Sequence, residues 1–325
     1  MSDKKGSSLV RGLLAGTLAS VALAGFNYLS AEASDPPRPV LGGEFKRYPW
    51  RMGSIAYHVA GPEEGAPMLL VHGIHAAASN FEFRKQFVFF AAQGYRVYAP
   101  DLIGFGLSDH PLMSYSDEIY IALLADFTRD VISTPTHVIA STLSCSFVIA
   151  AAARYPERFA ALVLVEPVGL EQLHRRLPVL SDLFYTFVKT PVIGEGFFNL
   201  LTSPPSIRYF LRKQGYRDSE NVTDELVDYH FQIAHQPNAR YAPGAFLSGF
   251  LNRDIRHEWS SLKNRILLIW GYQGTTVPVQ RGTEFLRVNP RAVVNGYDAN
   301  LLPHDEQAEK FNHDTLEWLQ GRRKD

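Results

Sequence analysis

Short, almost wholly apolar runs recur along the chain at Met68–His72, Tyr95–Pro100, Thr136–Ala140, Ala161–Glu166 and Arg265–Trp270. Two further β-like runs, Phe45–Trp50 and Ser54–Ala60, precede them. Segments of helical pattern near 79–92, 117–131, 143–155 and 305–320 alternate with these runs. Buried apolar strands interleaved with helices predict a mostly parallel sheet covered on both faces, an α/β architecture.

The stretch from about 170 to 258 breaks that rhythm. It is helical in pattern, rich in Phe and Tyr (Phe184, Tyr185, Phe187, Phe197, Phe198, Tyr209, Phe210), and punctuated by Pro191, Pro204, Pro205 and Pro237. It predicts a helical lid inserted between two strands, where a pocket would lie. The aromatics suit an apolar pocket and plain core packing alike.

The N-terminus reads differently again. Lys4, Lys5 and Arg11 precede an uncharged run at 12–31, GLLAGTLASVALAGFNYLSA. As a helix it would reach about 30 Å, the thickness of a bilayer's hydrocarbon. The basic start and the small residues Ala31 and Ala33 fit a cleaved signal peptide. The length, with Gly12, Gly16, Ser20 and Ala24 at every fourth position, fits a retained membrane anchor. An Ala-rich amphipathic or mobile leader on a soluble protein is the plainest alternative. The expected organisation is a leader at 1–33, a Pro-rich linker at 34–43 and one α/β domain at 44–325. Orientation across a membrane stays open, because Arg38, Lys46 and Arg47 balance the basic residues ahead of the run.

Composition narrows the function classes. A chain of 325 residues with 46% hydrophobic content can bury a full core. A formal charge of −1 with scattered Lys and Arg argues against a nucleic-acid partner. The single cysteine, Cys145, cannot form an internal disulfide. No metal-ligand spacing such as C-x-x-C or H-E-x-x-H is present, and no cofactor or metal is implied.

Five stretches carry a family resemblance. LLVHGIHAAASNFEFRKQF looks like the oxyanion loop of the α/β-hydrolase superfamily, and VYAPDLIGFGLSDHP resembles its following strand and Gly-rich turn. AAARYPERFAALVLVEP is similar to the helix after the nucleophile and the next strand. RILLIWGYQGTTVPV and LLPHDEQAEKFNHDTLEWL resemble the acid-bearing and base-bearing regions. The arrangement most resembles the lidded branch with haloalkane dehalogenases, epoxide hydrolases and small esterases. The resemblance implies an α/β-hydrolase fold and a nucleophile on a tight strand-to-helix turn, activated by a His that an acid orients.

Carried onto this sequence, the resemblance places Thr142 at the nucleophile position, fourteen residues before Pro156, within Ala140-Ser141-Thr142-Leu143-Ser144. Gly274 stands at the acid position, four before Pro278, and Leu301 at the base position. None of the three is the customary residue. A β-branched residue on that turn should also be strained, because the site demands positive φ. Ser141 should point away, and Ser144 fills the second small position.

Possible substitutes are Glu166, closing the strand ALVLVE, and His75 in the oxyanion loop. Plain structural roles compete: Glu166 could cap a helix or meet an Arg, and His75 could be a satisfied wall residue. His304, His72, His230 and His235 are expected to pack or brace, the last two on a lid helix begun near Thr223. The implied oxyanion donors are the backbone N–H groups of Ile74 and Leu143, which need no particular side chain.

Three functions follow. The first is a lidded protein without ordinary Ser-His-Asp hydrolysis that binds an apolar, lipid-like or isoprenoid-like small molecule. The second is a hydrolase of an ester or related bond with a rewired site, Thr142 with Glu166 and His75. The third is a membrane-tethered interaction protein whose pocket has closed.

Overall fold

The computed structural model describes residues 20–170 and 178–322. Helix α1 covers 20–32. Strands β1 (Glu44–Trp50), β2 (Gly53–Ala60), β3 (Pro67–Val71), β4 (Arg96–Pro100), β5 (Thr136–Ser141), β6 (Phe159–Val165), β7 (Arg265–Gly271) and β8 (Val293–Tyr297) make one sheet. Its order is β1-β2-β4-β3-β5-β6-β7-β8. The β1–β2 and β2–β4 pairs are antiparallel, and every other pair is parallel. This is the expected α/β-hydrolase architecture, and the seven strands read from the sequence all form. The pattern passes over β8, whose VVNGY is mostly half-buried and so lacks a clean apolar run.

Helices α2 (Arg84–Ala92), α3 (Asp117–Phe127) and α4 (Ser144–Arg154) cover the sheet with the C-terminal α11 (Arg281–Val288), α12 (Pro303–Glu306) and α13 (Ala308–Leu319). Between β6 and β7 the chain adds α5 (Pro178–Lys189), α6 (Ile193–Leu201), α7 (Pro204–Phe210), α8 (Asp224–Ala234), α9 (Tyr241–Leu247) and α10 (Arg256–Ser261). The helix foreseen near Thr223 is α8: the Thr223 hydroxyl accepts from Leu226 N at 3.2 Å and so caps it. Leu69, Val71, Val138, Ala140, Leu162 and Leu164 belong to one buried cluster, while Met68, Leu70, Ile139 and Val163 belong to the other. That alternation is what a strand buried on both faces produces.

The insert is tied to the sheet's C-terminal edge. Tyr185 and Ala242 join the main core cluster, Phe198 and Ala234 pack on Ala77, and Gln236 Nε2 donates to Gly106 O at 2.7 Å. Among the described residues no helix is long and apolar enough to cross a membrane. The apolar run expected to act as signal or anchor falls partly outside them, at residues 12–19.

Candidate active site

The β5–α4 connection is the centre of the site. Ala140 and Ser141 end the strand, Thr142 turns it, and α4 starts two residues later. Thr142 has φ +49°, in the left-handed region that a β-branched side chain enters only under strain. Its N–H donates to Val165 O at 2.8 Å, and its carbonyl accepts from Cys145 N at 3.1 Å. Both neighbours therefore hold the turn. The strain expected from the sequence is present, at a cost on the order of 1–3 kcal/mol. Thr142 is half-buried, whereas Ser141 and Ser144 are buried. Ser144 Oγ donates to His72 O at 2.6 Å, a packing role.

The loop after β3 lies against this turn. A Cβ at Gly73 would stand 2.7 Å from Thr142 Oγ1 and 3.3 Å from both Ser141 Oγ and Glu82 Oε2. Glycine at this position leaves room for the Thr142 and Ser141 hydroxyls and the Glu82 carboxylate. His72 braces the loop as foreseen: its Nδ1 meets Gly73 O at 2.7 Å, and its Nε2 accepts from Leu102 N at 3.0 Å. The Ile74 and Leu143 N–H groups meet no acceptor among the described residues. They are the two groups that the family resemblance points to as oxyanion donors.

The acid side differs. Glu166 caps β6, itself at φ +50°, and Gly271 N donates to its Oε1 at 2.6 Å. A Cβ at Gly274 would lie 3.6 Å from that same oxygen, so Glu166 reaches the space beside the Gly274 backbone. Burial pushes the Glu166 carboxyl up to about 9, and it is neutral at neutral pH. The Arg281 charge also acts on this carboxyl, in the lowering direction, without overcoming burial. Leu301 is 9% exposed and belongs to the main apolar cluster.

His75 does not meet Thr142 or Glu166 in any hydrogen bond among the described residues. Its Nδ1 accepts from Ala77 N at 3.3 Å, and its ring stacks on His230 with centroids 5.6 Å apart. Burial and the adjacent His230 hold it down at about 3, so it is a neutral imidazole. His230 Nδ1 in turn lies 2.8 Å from Leu226 O. This pair joins the oxyanion loop to the insert.

The sequence reading misses one pairing. Glu82 accepts from Gly73 N at 2.7 Å through Oε2, and its Oε1 lies 3.1 Å from His304 Nε2. Despite desolvation, which alone would raise it, contact with His304 holds the Glu82 carboxyl at about 2, well below the usual range. His304 is fully buried between Phe83 and Phe311, with ring centroids at 4.9 and 6.0 Å. Its carbonyl accepts from Gln86 Nε2 at 2.6 Å. Next to it, Arg84 Nη2 and Lys85 Nζ each reach Asp305 at 2.9 Å. Charged contacts thus clamp the oxyanion loop's helix to α12. In the sequence Glu82 stands between Phe81 and Phe83, which flags a charged residue in an apolar setting without naming its partner.

A parallel-sheet core, a positive-φ strand-to-helix turn after β5 and an inserted helical layer define an α/β-hydrolase. The model of the alpha/beta hydrolase family matches residues 68–314, and the chain belongs to that family. It is similar to a non-heme chloroperoxidase of Streptomyces lividans, at 33% identity over 82% of this chain and 96% of the relative. It is also similar to a 2-hydroxy-6-oxo-6-phenylhexa-2,4-dienoate hydrolase of Comamonas testosteroni, at 23% identity over 82% of this chain and 92% of the relative. Among solved structures, a meta-cleavage product hydrolase of Pseudomonas fluorescens superposes with TM-score 0.68 at 22% identity, covering 86% of this chain and 98% of that one. That last likeness concerns the fold.

Proposed function

We propose that this family member binds an apolar small molecule between the insert and the turn at Thr142, and that it does not perform ordinary Ser-His-Asp hydrolysis. The observation that carries the reading is Leu301, an apolar side chain packed into the core where the family resemblance puts the base. A Thr hydroxyl of high pKa stays protonated at neutral pH unless a base takes its proton. The imidazole nearest in the loop, His75, is engaged with Ala77 and His230 instead. A neutral Glu166 and a leucine make the floor of this site less polar than a triad would.

A second reading has its own support. The N–H groups of Ile74 and Leu143 remain available, and Thr142 is half-buried on a strained turn. Oxyanion donors and binding alone can leave a residual rate about 10³–10⁴-fold over water. One pair of measurements separates the two readings. Native mass spectrometry of the full chain should find a retained apolar molecule, and returning it to stripped protein should raise Tm by mass action. Hydrolysis of short nitrophenyl esters should be equal in wild type and Thr142→Ala. A Thr142-dependent turnover in the common enzyme range of roughly 1–10³ s⁻¹ would establish the enzyme instead.

A further inference from the structure

Helix α1 turns an amide inward beside Leu23 and several large apolar side chains outward, with Glu32 at its C-terminal end accepting from Tyr28 Oη at 2.9 Å. Its amide side chain, Asn27, is 6% exposed and faces the insert: Nδ2 donates to Val192 O at 2.9 Å, and Oδ1 accepts from Asn199 Nδ2 at 3.2 Å. Leu23, one turn earlier, packs against Gly196 of α6, where any side chain would collide with it. The faces turned outward carry Val21, Phe26, Tyr28 and Leu29, at 64%, 39%, 63% and 66% exposure. A helix lying on a protein in water buries its apolar stripe and exposes its polar one. The reverse order is what a helix adopts when its outer medium cannot hydrogen-bond, since a polar group then needs a partner within the protein.

The neighbouring helices continue that surface. Val179, Leu180 and Leu183 of α5 and Ile193 and Leu200 of α6 are all more than half exposed. The two helices are joined by Phe184 and Phe187 against Phe197, at centroid distances of 6.0 and 5.5 Å. Asp182 is the exposed acidic residue of α5. Other exposed large apolar residues, such as Val88, Leu112 and Tyr272, lie on other segments of the chain. A contiguous apolar face marks an interaction surface, whereas single residues need no explanation.

The occupant follows from what the chain adds in sequence just before α1. Residues 12–19 are uncharged and mostly apolar, and Lys4, Lys5 and Arg11 precede them. Apolar side chains with basic residues at one end suit hydrocarbon bordered by anionic headgroups. We propose that α1, α5 and α6 form a lipid-facing platform that seats the insert on a bilayer, with Asn27 as the polar pin holding α1 to it. The claim concerns the insert's outer face and stands whether or not the site beneath it binds a ligand.

Cys145 is buried, so a single introduced cysteine can be labelled selectively in the full chain. A polarity-sensitive dye would be placed at Leu183→Cys, at Leu180→Cys as a second position on the same face, and at Val88→Cys on α2 as the reference. Each protein would be mixed with vesicles of equal parts phosphatidylcholine and phosphatidylglycerol and recovered by flotation. The expected result is a blue-shifted emission at positions 183 and 180 on floated protein, with the label at 88 unchanged from water. Floated protein with no shift at 183 or 180 would mean that the leader alone holds the membrane, and would overturn the platform. Failure to float overturns it too. A shift at 183 that grows with protein concentration and needs no vesicles would assign the face to a second copy of the chain.

Discussion

On the proposed reading, the two halves of the site are built from different material. On the β3–β5 side, Thr142 has a positive φ, Gly73 lies against the Thr142 and Ser141 side chains, and the Ile74 and Leu143 N–H groups meet no acceptor among the described residues. On the β6–β8 side, Gly274 brings no carboxyl of its own, Glu166 lies beside it neutral, and Leu301 packs as core. The first half is made of backbone. Its geometry also joins β5 to α4 and β3 to α2, so it persists wherever the fold does. The second half consists of side chains at strand and loop ends, Glu166 and Leu301 among them.

The contact most able to break that contrast is Glu82 with His304, which couples the intact half to α12. Glu82→Ala leaves His304 buried beside no partner and Gly73 N–H without its acceptor. A loss of about 3–5 kcal/mol in urea unfolding is expected, the cost of opening a buried pair. Because the folded carboxyl sits at about 2, below its reference 4.5, its stabilisation is complete above pH 4.5 and is lost as pH falls toward 2. Wild type should therefore lose stability faster than Glu82→Ala in that acid window.

The contrast is sharpened by placing the family's customary residues in the second half. Thr142→Ser with Gly274→Asp and Leu301→His should gain inhibitor-sensitive esterase activity, at least about 10²-fold over wild type if the restored base contributes its usual share. The neutral Glu166 beside Gly274 can donate to the new carboxylate rather than repel it. A folded triple variant with wild-type rates would show that the loop geometry has moved as well as the side chains.

Glu166 tests the same half with a smaller effect. Glu166→Ala removes the acceptor of Gly271 N–H and should cost about 1–3 kcal/mol, whereas Glu166→Gln keeps an acceptor and should cost less. The sign with pH is opposite to that of Glu82. The folded pKa near 9 exceeds the reference 4.5, so the unfolded chain binds fewer protons between those values and stability falls as pH rises across them. The Tm of wild type should fall relative to Glu166→Gln over that window. The smallest effect belongs to the retained half: Thr142→Gly should stabilise by about 1 kcal/mol, because glycine occupies φ +49° without strain.

How far the site was legible depends on how local each part is. Thr142 on a strained turn was readable, since small flanking residues and the distance to Pro156 are local facts. His75 was visible as a titratable residue in the right loop, but its engagement with His230 depends on how the insert settles. Glu82 with His304 was not readable, because no periodicity links a short helical turn near residue 80 to the C-terminal region.

The sequence by itself determined the sheet and its covering helices, because apolar runs of strand length alternating with helical periodicity have few ways to bury themselves. It also determined which residue types occupy the turn and the loop ends. Tertiary structure alone decided that Glu166 is neutral, that Glu82 meets His304, and that α1 turns Asn27 inward and Phe26 and Leu29 outward. Protonation, pairing and facing depend on what lies across the fold from a residue, and burial by distant segments is not encoded in any local pattern.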